Sequence, residues 1–141
     1  MSIQATASRS IAPPIWARGL IAAAVGAVAN MIVFLTGTRA GADMAVVTAG
    51  TQITVALPSV LIATTVPLAL AGVATWFLTR WKAQLRIVLA WGGLAVAIAT
   101  ILVPLTSAPQ TATGWTLGTM HIIAGLTWCA AMSIHTRTSP A

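Results

Sequence analysis

The sequence predicts an all-α integral membrane protein, a four-transmembrane-helix bundle, and three observations lead there. Hydrophobic residues fill 58% of the 141 positions and charged residues only 6%, against roughly 25% charged in a soluble domain. Four apolar stretches, at about residues 16–36, 57–79, 85–105 and 115–135, each come close to the ~20 residues needed to cross a bilayer core of about 30 Å. The basic residues Arg9, Arg18, Arg80, Lys82, Arg86 and Arg137 fall at one set of helix ends, with Arg39 alone at the other. This positive-inside asymmetry puts both termini and the RWKAQLR loop in the cytoplasm. Residues 1–141 are thus read as a single membrane domain, with an outer loop at 37–56.

The first stretch imitates a signal peptide, because AVAN at Ala27–Asn30 offers small residues for cleavage; it is expected to remain as an uncleaved helix. Within it Arg18, Ala22, Gly26 and Asn30 recur every four residues and share one face. Small residues so spaced let a second helix approach closely, either within the bundle or between copies of the chain.

The outer loop does not carry a helical period. Thr51, Ile53 and Val55 alternate with Gln52, Thr54 and Ala56, and Ala49-Gly50 supplies a turn after Met44–Thr48, which fits a short extracellular β-hairpin capping the bundle. Pro58 suits the first turn of the second helix. Pro67 falls inside that helix and leaves the Ala63 carbonyl without its usual donor, so a kink is expected there, with Thr64 and Thr65 close by. Trp16, Trp76, Trp81 and Trp91 gather toward one surface and Trp115 lies at the other, as an aromatic belt requires, whereas Trp128 and Cys129 read as packing residues of the fourth helix.

The stretches GTQITVALPSV, VPLTSAPQTATGWTL and MHIIAGL resemble a family of uncharacterised four-span membrane proteins known mainly from actinobacteria and classed only as a domain of unknown function. The resemblance runs from about Arg18 to His135. It implies four helices, an ordered outer loop and an actinobacterial plasma-membrane address, and it carries no activity. The Met120-His121 pair is similar to the family's recurring fourth-helix dipeptide, a recurrence that packing explains as readily as function.

The chemistry is limited by what the spans lack. They hold no Asp, Glu or Lys, and the single acid, Asp43, lies in the outer loop, so proton exchange on an intramembrane carboxylate has no carrier. Cys129 and His121 stand eight residues apart on one helix, about 12 Å along its axis, too far for a nucleophile–base pair. His121 with Met120, Met31, Met132 or a second copy's His121 could ligate haem or copper; a hydrogen-bonded structural histidine is the simpler reading, and neither a metal nor a cofactor is assigned. His135 is expected at the interface near the last carbonyls of the fourth helix. The net charge of +6 orients the chain against anionic headgroups and forms no nucleic-acid-binding face.

The remaining polar groups share a depth. His121 lies six residues inside Trp115 and Asn30 six inside Thr36, while Thr64, Thr65 and Thr100 fall at similar levels, about 9 Å below the outer surface. A lone polar group in hydrocarbon is costly, so His121 is expected to bond Asn30 or a threonine. Two functions from different classes follow. The favoured one is a non-enzymatic protein of the lipid bilayer acting by protein–protein or self-association, as a homo-oligomer or accessory subunit, through faces such as Ala22, Gly26 and Gly125. The other is a small-molecule or lipid binder or transporter with an outward-facing pocket around His121.

Overall fold

In the computed structural model, which describes residues 13–134, the chain is mostly helical. The elements are α1 (Ile15–Arg39), β1 (Ala45–Thr48), β2 (Thr51–Thr54), α2 (Leu57–Thr79), α3 (Leu85–Ala99), α4 (Leu102–Ser107) and α5 (Thr111–Ser133). Arg9, His135 and Arg137 lie outside the described residues. Three segments are long and apolar enough to cross a membrane: Ile15–Arg39, Leu57–Thr79 and the α3–α4 pair Leu85–Ser107.

The fourth expected span is less apolar, and its position explains why. α5 is 23 residues long and packs against α1, α3 and α4. Its buried residues, among them Thr113, Gly114, Leu117, Gly118, Gly125, Trp128 and Met132, share one broad side of the helix, and Trp115, Thr119, Ile122, Leu126 and Ala130 share the exposed one. A side packed against helices needs small residues for close approach rather than a lipid-facing coat of Leu and Val. Such a coat is fuller on the other helices, where Val28, Ile62, Leu70, Val88 and Val96 are more than half exposed. α1 is wedged between α2 and α5, whereas α2 makes little contact with α5.

Two helix boundaries differ from those expected. The third stretch is broken at Thr100–Ile101 into α3 and the short α4, because Pro104 has no N–H for the Thr100 carbonyl and its ring crowds that turn. The Thr100 carbonyl instead receives the Val103 N–H at 3.2 Å. α5 begins at Thr111, directly after Pro109-Gln110, so the outer loop expected before Trp115 is mostly helix. α2 runs from Leu57 through Pro67 without interruption, with Pro58 in its first turn.

The hairpin forms as the alternation required. β1 and β2 pair antiparallel with Ala45 opposite Thr54 and Thr48 opposite Thr51. Its two-residue turn holds Ala49 at φ 50° and Gly50 at φ 78°, both in the left-handed region that a type I′ turn needs. Asp43 fastens the hairpin to α5. Thr113 Oγ1 donates to Asp43 Oδ1 at 2.6 Å, the Ala45 N–H donates to the same oxygen at 3.0 Å, and the Asp43 N–H donates to Gln110 Oε1 at 2.8 Å. Beneath these bonds Met44 sits in an apolar cluster with Ala42, Val60, Leu117 and Met120.

Candidate functional site

Two of the expected polar residues meet across α1 and α2. Asn30 is only 2% exposed, and its Nδ2 donates to Thr64 Oγ1 at 2.9 Å. The Thr64 hydroxyl spends its own hydrogen on the Val60 carbonyl at 2.8 Å, which leaves its lone pairs to accept from Asn30. Asn30 Oδ1 has no such outlet. It is the single buried side-chain polar atom without a hydrogen-bond partner among the described residues.

His121 does not join this pair, contrary to the expected bond to Asn30 or a threonine. Its Nδ1 lies 2.9 Å from the carbonyl of Leu117, one turn back on the same helix. A carbonyl only accepts, so Nδ1 carries the hydrogen, and in the neutral ring Nε2 keeps the lone pair. Thr65 and Thr100 depart from the expected layer for the same local reason. Thr65 Oγ1 donates to Leu61 O at 2.8 Å and Thr100 Oγ1 to Val96 O at 2.9 Å, because a helical threonine always has an i−4 carbonyl in reach.

Asn30, Thr64 and His121 nevertheless line one cavity of about 400 Å³, within the range of small-molecule sites. It lies between α1, α2, α4 and α5, with Val46, Thr48 and Val55 of the hairpin segment forming its roof. The walls are otherwise mainly apolar, with Leu68 from α2 and Val103 from α4, and Ser59 and Ser107 add two hydroxyls. Sequence reasoning missed the contribution of α4. Its signal was Pro104, which breaks the third stretch and lines the cavity together with Pro67 and Ala63. Pro67 removes the N–H that the Ala63 carbonyl would otherwise accept, whereas the carbonyl deprived by Pro104, that of Thr100, is met by the Val103 N–H.

The small-residue faces are used inside the chain. A Cβ on Gly26 would stand 3.2 Å from Thr127 Oγ1 of α5 and 3.4 Å from Leu68 and Thr64 of α2. One on Gly125 would meet Ala97 Cβ of α3 at 2.6 Å, and Ala22 is buried in the same α1 seam. Trp128 packs against Gly93 and donates its indole N–H to Leu89 O at 2.9 Å, joining α5 to α3. Cys129 is buried beside it. Among the described residues no three His, Cys, Asp or Glu side chains gather as metal ligands.

No curated protein and no solved structure matches the chain. One family model does, over residues 10–138. With nearly its whole length inside that match, the chain belongs to a family of unknown function (DUF6069).

Proposed function

We propose that this is a four-span plasma-membrane protein that binds a small amphipathic molecule, or a lipid, in the cavity beneath the hairpin, without catalysis. α5 is the fourth span in this reading, and the small and polar residues on the side that packs against α1, α3 and α4 account for its lower apolarity. Arg18, Arg80, Lys82 and Arg86 lie at the end opposite the hairpin, against Arg39 alone beside it, which favours cytoplasmic termini and a cavity in the outer leaflet.

The observation that carries the proposal is that Asn30, whose Oδ1 is a buried acceptor without a donor, is one of the residues lining a mainly apolar cavity. Leaving such a group unmade costs about 1–3 kcal/mol, and a ligand hydroxyl or amide N–H would meet it. His121 Nε2 and the Ala63 carbonyl add two further acceptors, beside the hydroxyls of Ser59 and Ser107. The matching ligand is therefore an apolar body bearing a hydrogen-bond donor. The association reading named Ala22, Gly26 and Gly125 as packing faces, and these residues pack within the bundle.

The test is to purify the protein from its own membrane, extract bound molecules with solvent and identify them by mass spectrometry. Ala63→Phe fills the cavity from an exposed position without displacing core. One compound should accompany the wild type near stoichiometry and fall at least about tenfold in Ala63→Phe and in Asn30→Leu, as loss of a buried hydrogen bond requires. Identical extracts from wild type and Ala63→Phe would overturn the proposal.

A further inference from the structure

At the opposite end of the bundle from the hairpin, three arginines from three helices converge. Arg18, in the first turn of α1, is buried; its Nε donates to Pro13 O at 2.9 Å and its Nη1 to Ile134 O at 2.6 Å. Arg86, in the first turn of α3, donates Nη1 to that same Ile134 oxygen at 2.7 Å. Arg80, which caps α2, lies flat on Trp76 with its guanidinium carbon 3.8 Å from the ring centroid. All three, with Trp76 and Thr79, line a second cavity of about 530 Å³.

Among the described residues this cluster has no negative side-chain partner. Asp43 is the only acidic side chain in the chain, and it is bonded to Thr113 at the hairpin end. Ile134 caps the C-terminus of α5, where the helix dipole amounts to roughly half a negative charge. Two guanidinium groups share that one carbonyl, so the dipole falls well short of neutralising them. Each guanidinium has five N–H donors, and only two of Arg18's and one of Arg86's are used among the described residues.

From this geometry we infer that the Arg18–Arg80–Arg86 cavity is a built site for a phosphate-bearing anion. Guanidinium groups match phosphate in shape and bind it through paired N–H donors. The stacking of Arg80 on Trp76 holds one fork in place, and the carbonyl shared by Arg18 and Arg86 holds two more. The same chemistry is offered by the headgroup of an anionic phospholipid and by free phosphate. The site is independent of the cavity beneath the hairpin, and so is its test.

Native mass spectrometry of the detergent-purified protein, in about 1 M ammonium acetate, separates this site from diffuse attraction, because the screening length there is about 3 Å. The titrants are phosphatidylglycerol, phosphatidylcholine and inorganic phosphate. Phosphatidylglycerol should bind as one saturable copy at least about tenfold tighter than phosphatidylcholine, a discrimination of about 1.4 kcal/mol. Arg80→Gln with Arg86→Gln should abolish that preference, and Lys82→Gln, exposed and outside the cavity, should leave it intact. Should the double variant fail to fold, Arg80→Gln alone decides, since that exposed side chain is engaged with Trp76 alone among the described residues. Displacement of the lipid by millimolar phosphate would identify free phosphate as a sufficient ligand, and resistance to it would identify the lipid headgroup; both support the site. Equal binding of the two lipids, or an equal effect of Lys82→Gln, would overturn it.

Discussion

Gly19 of α1 and Gly72 of α2 face each other backbone to backbone, so closely that a Cβ built on Gly19 would lie 2.5 Å from Gly72 Cα. No other glycine of the described residues meets the backbone of a neighbouring helix at so short a distance. The α1–α2 crossing, which sets Asn30 beside Thr64 further along, therefore depends on two missing methyl groups.

Gly72→Ala should force the two helices apart, at a cost of about 1–3 kcal/mol for the inserted volume. Gly92→Ala is the matched control, because nothing lies within 4 Å of its added Cβ and alanine favours the helix by up to about 1 kcal/mol. Thermal unfolding in detergent should show a loss for the first and none for the second. Equal shifts would mean that the crossing is not held by this contact.

At the Asn30–Thr64 pair the two single substitutions should act in opposite directions. Thr64→Val removes the acceptor and leaves the whole Asn30 amide unpaired in hydrocarbon, a cost of about 1–3 kcal/mol. Asn30→Leu removes an orphaned oxygen already present, while the Thr64 hydroxyl keeps its bond to Val60 O. Its melting temperature should match or exceed that of wild type, and combining both changes should cost no more than Asn30→Leu alone. If Asn30→Leu were the more damaging variant, the orphaned oxygen would not be a site of stored cost.

What could be read from the sequence divides along the range of the interactions. The hairpin followed from Ala49-Gly50 and the alternation after it, and α2 begins and ends at the expected residues, since Pro58 and the polar flanks are local signals. The Asn30–Thr64 contact could be approached from depth alone, because few polar groups exist in the spans and each must find a partner. Depth could not decide His121, which had the Leu117 carbonyl within reach on its own helix. The Gly19–Gly72 crossing was hidden for another reason: Arg18, Ala22, Gly26 and Asn30 made the more evident stripe, while Gly19, Ala23 and Ala27 form a second one beside it. Which stripe touches which helix is set by packing, and a period cannot state it.

Acid should weaken the hairpin's attachment through one group. The bond from Thr113 Oγ1, followed by that from the Ala45 N–H, holds the Asp43 carboxyl below its ordinary value. A depressed carboxylate contributes stability that is complete above its unfolded pKa of about 3.9 and is lost as pH falls through the folded value. Since no other side-chain carboxylate exists in the chain, the effect belongs to Asp43. Wild type should melt above Asp43→Asn at pH 7 and at pH 5, and the gap should narrow progressively as pH falls below about 4. A gap that does not narrow at all between about pH 5 and about pH 2 would show that the charge of Asp43 has no part in the attachment.

The turn itself offers the last prediction, in which one backbone conformation has opposite consequences at two positions. Ala49 and Met44 both have positive φ, 50° and 54°, a region that costs an ordinary residue about 1–2 kcal/mol. Ala49 is exposed at the first central position of the two-residue turn, where asparagine followed by glycine is the pairing that a type I′ turn favours. Ala49→Asn should therefore stabilise the hairpin by about 0.5–1 kcal/mol, with Gly50 unchanged, and Ala49→Val should destabilise it, because a β-branched side chain resists positive φ. Met44→Gly relieves the same strain yet loses, because the Met44 side chain is only 1% exposed and fills the cluster with Leu117 and Met120; truncating such a residue costs about 2–5 kcal/mol. Hydrogen exchange of the β1–β2 amides gives the readout. Protection should rise in Ala49→Asn and fall in Ala49→Val and Met44→Gly, and a rise in Met44→Gly would show that backbone strain there outweighs the packing it secures.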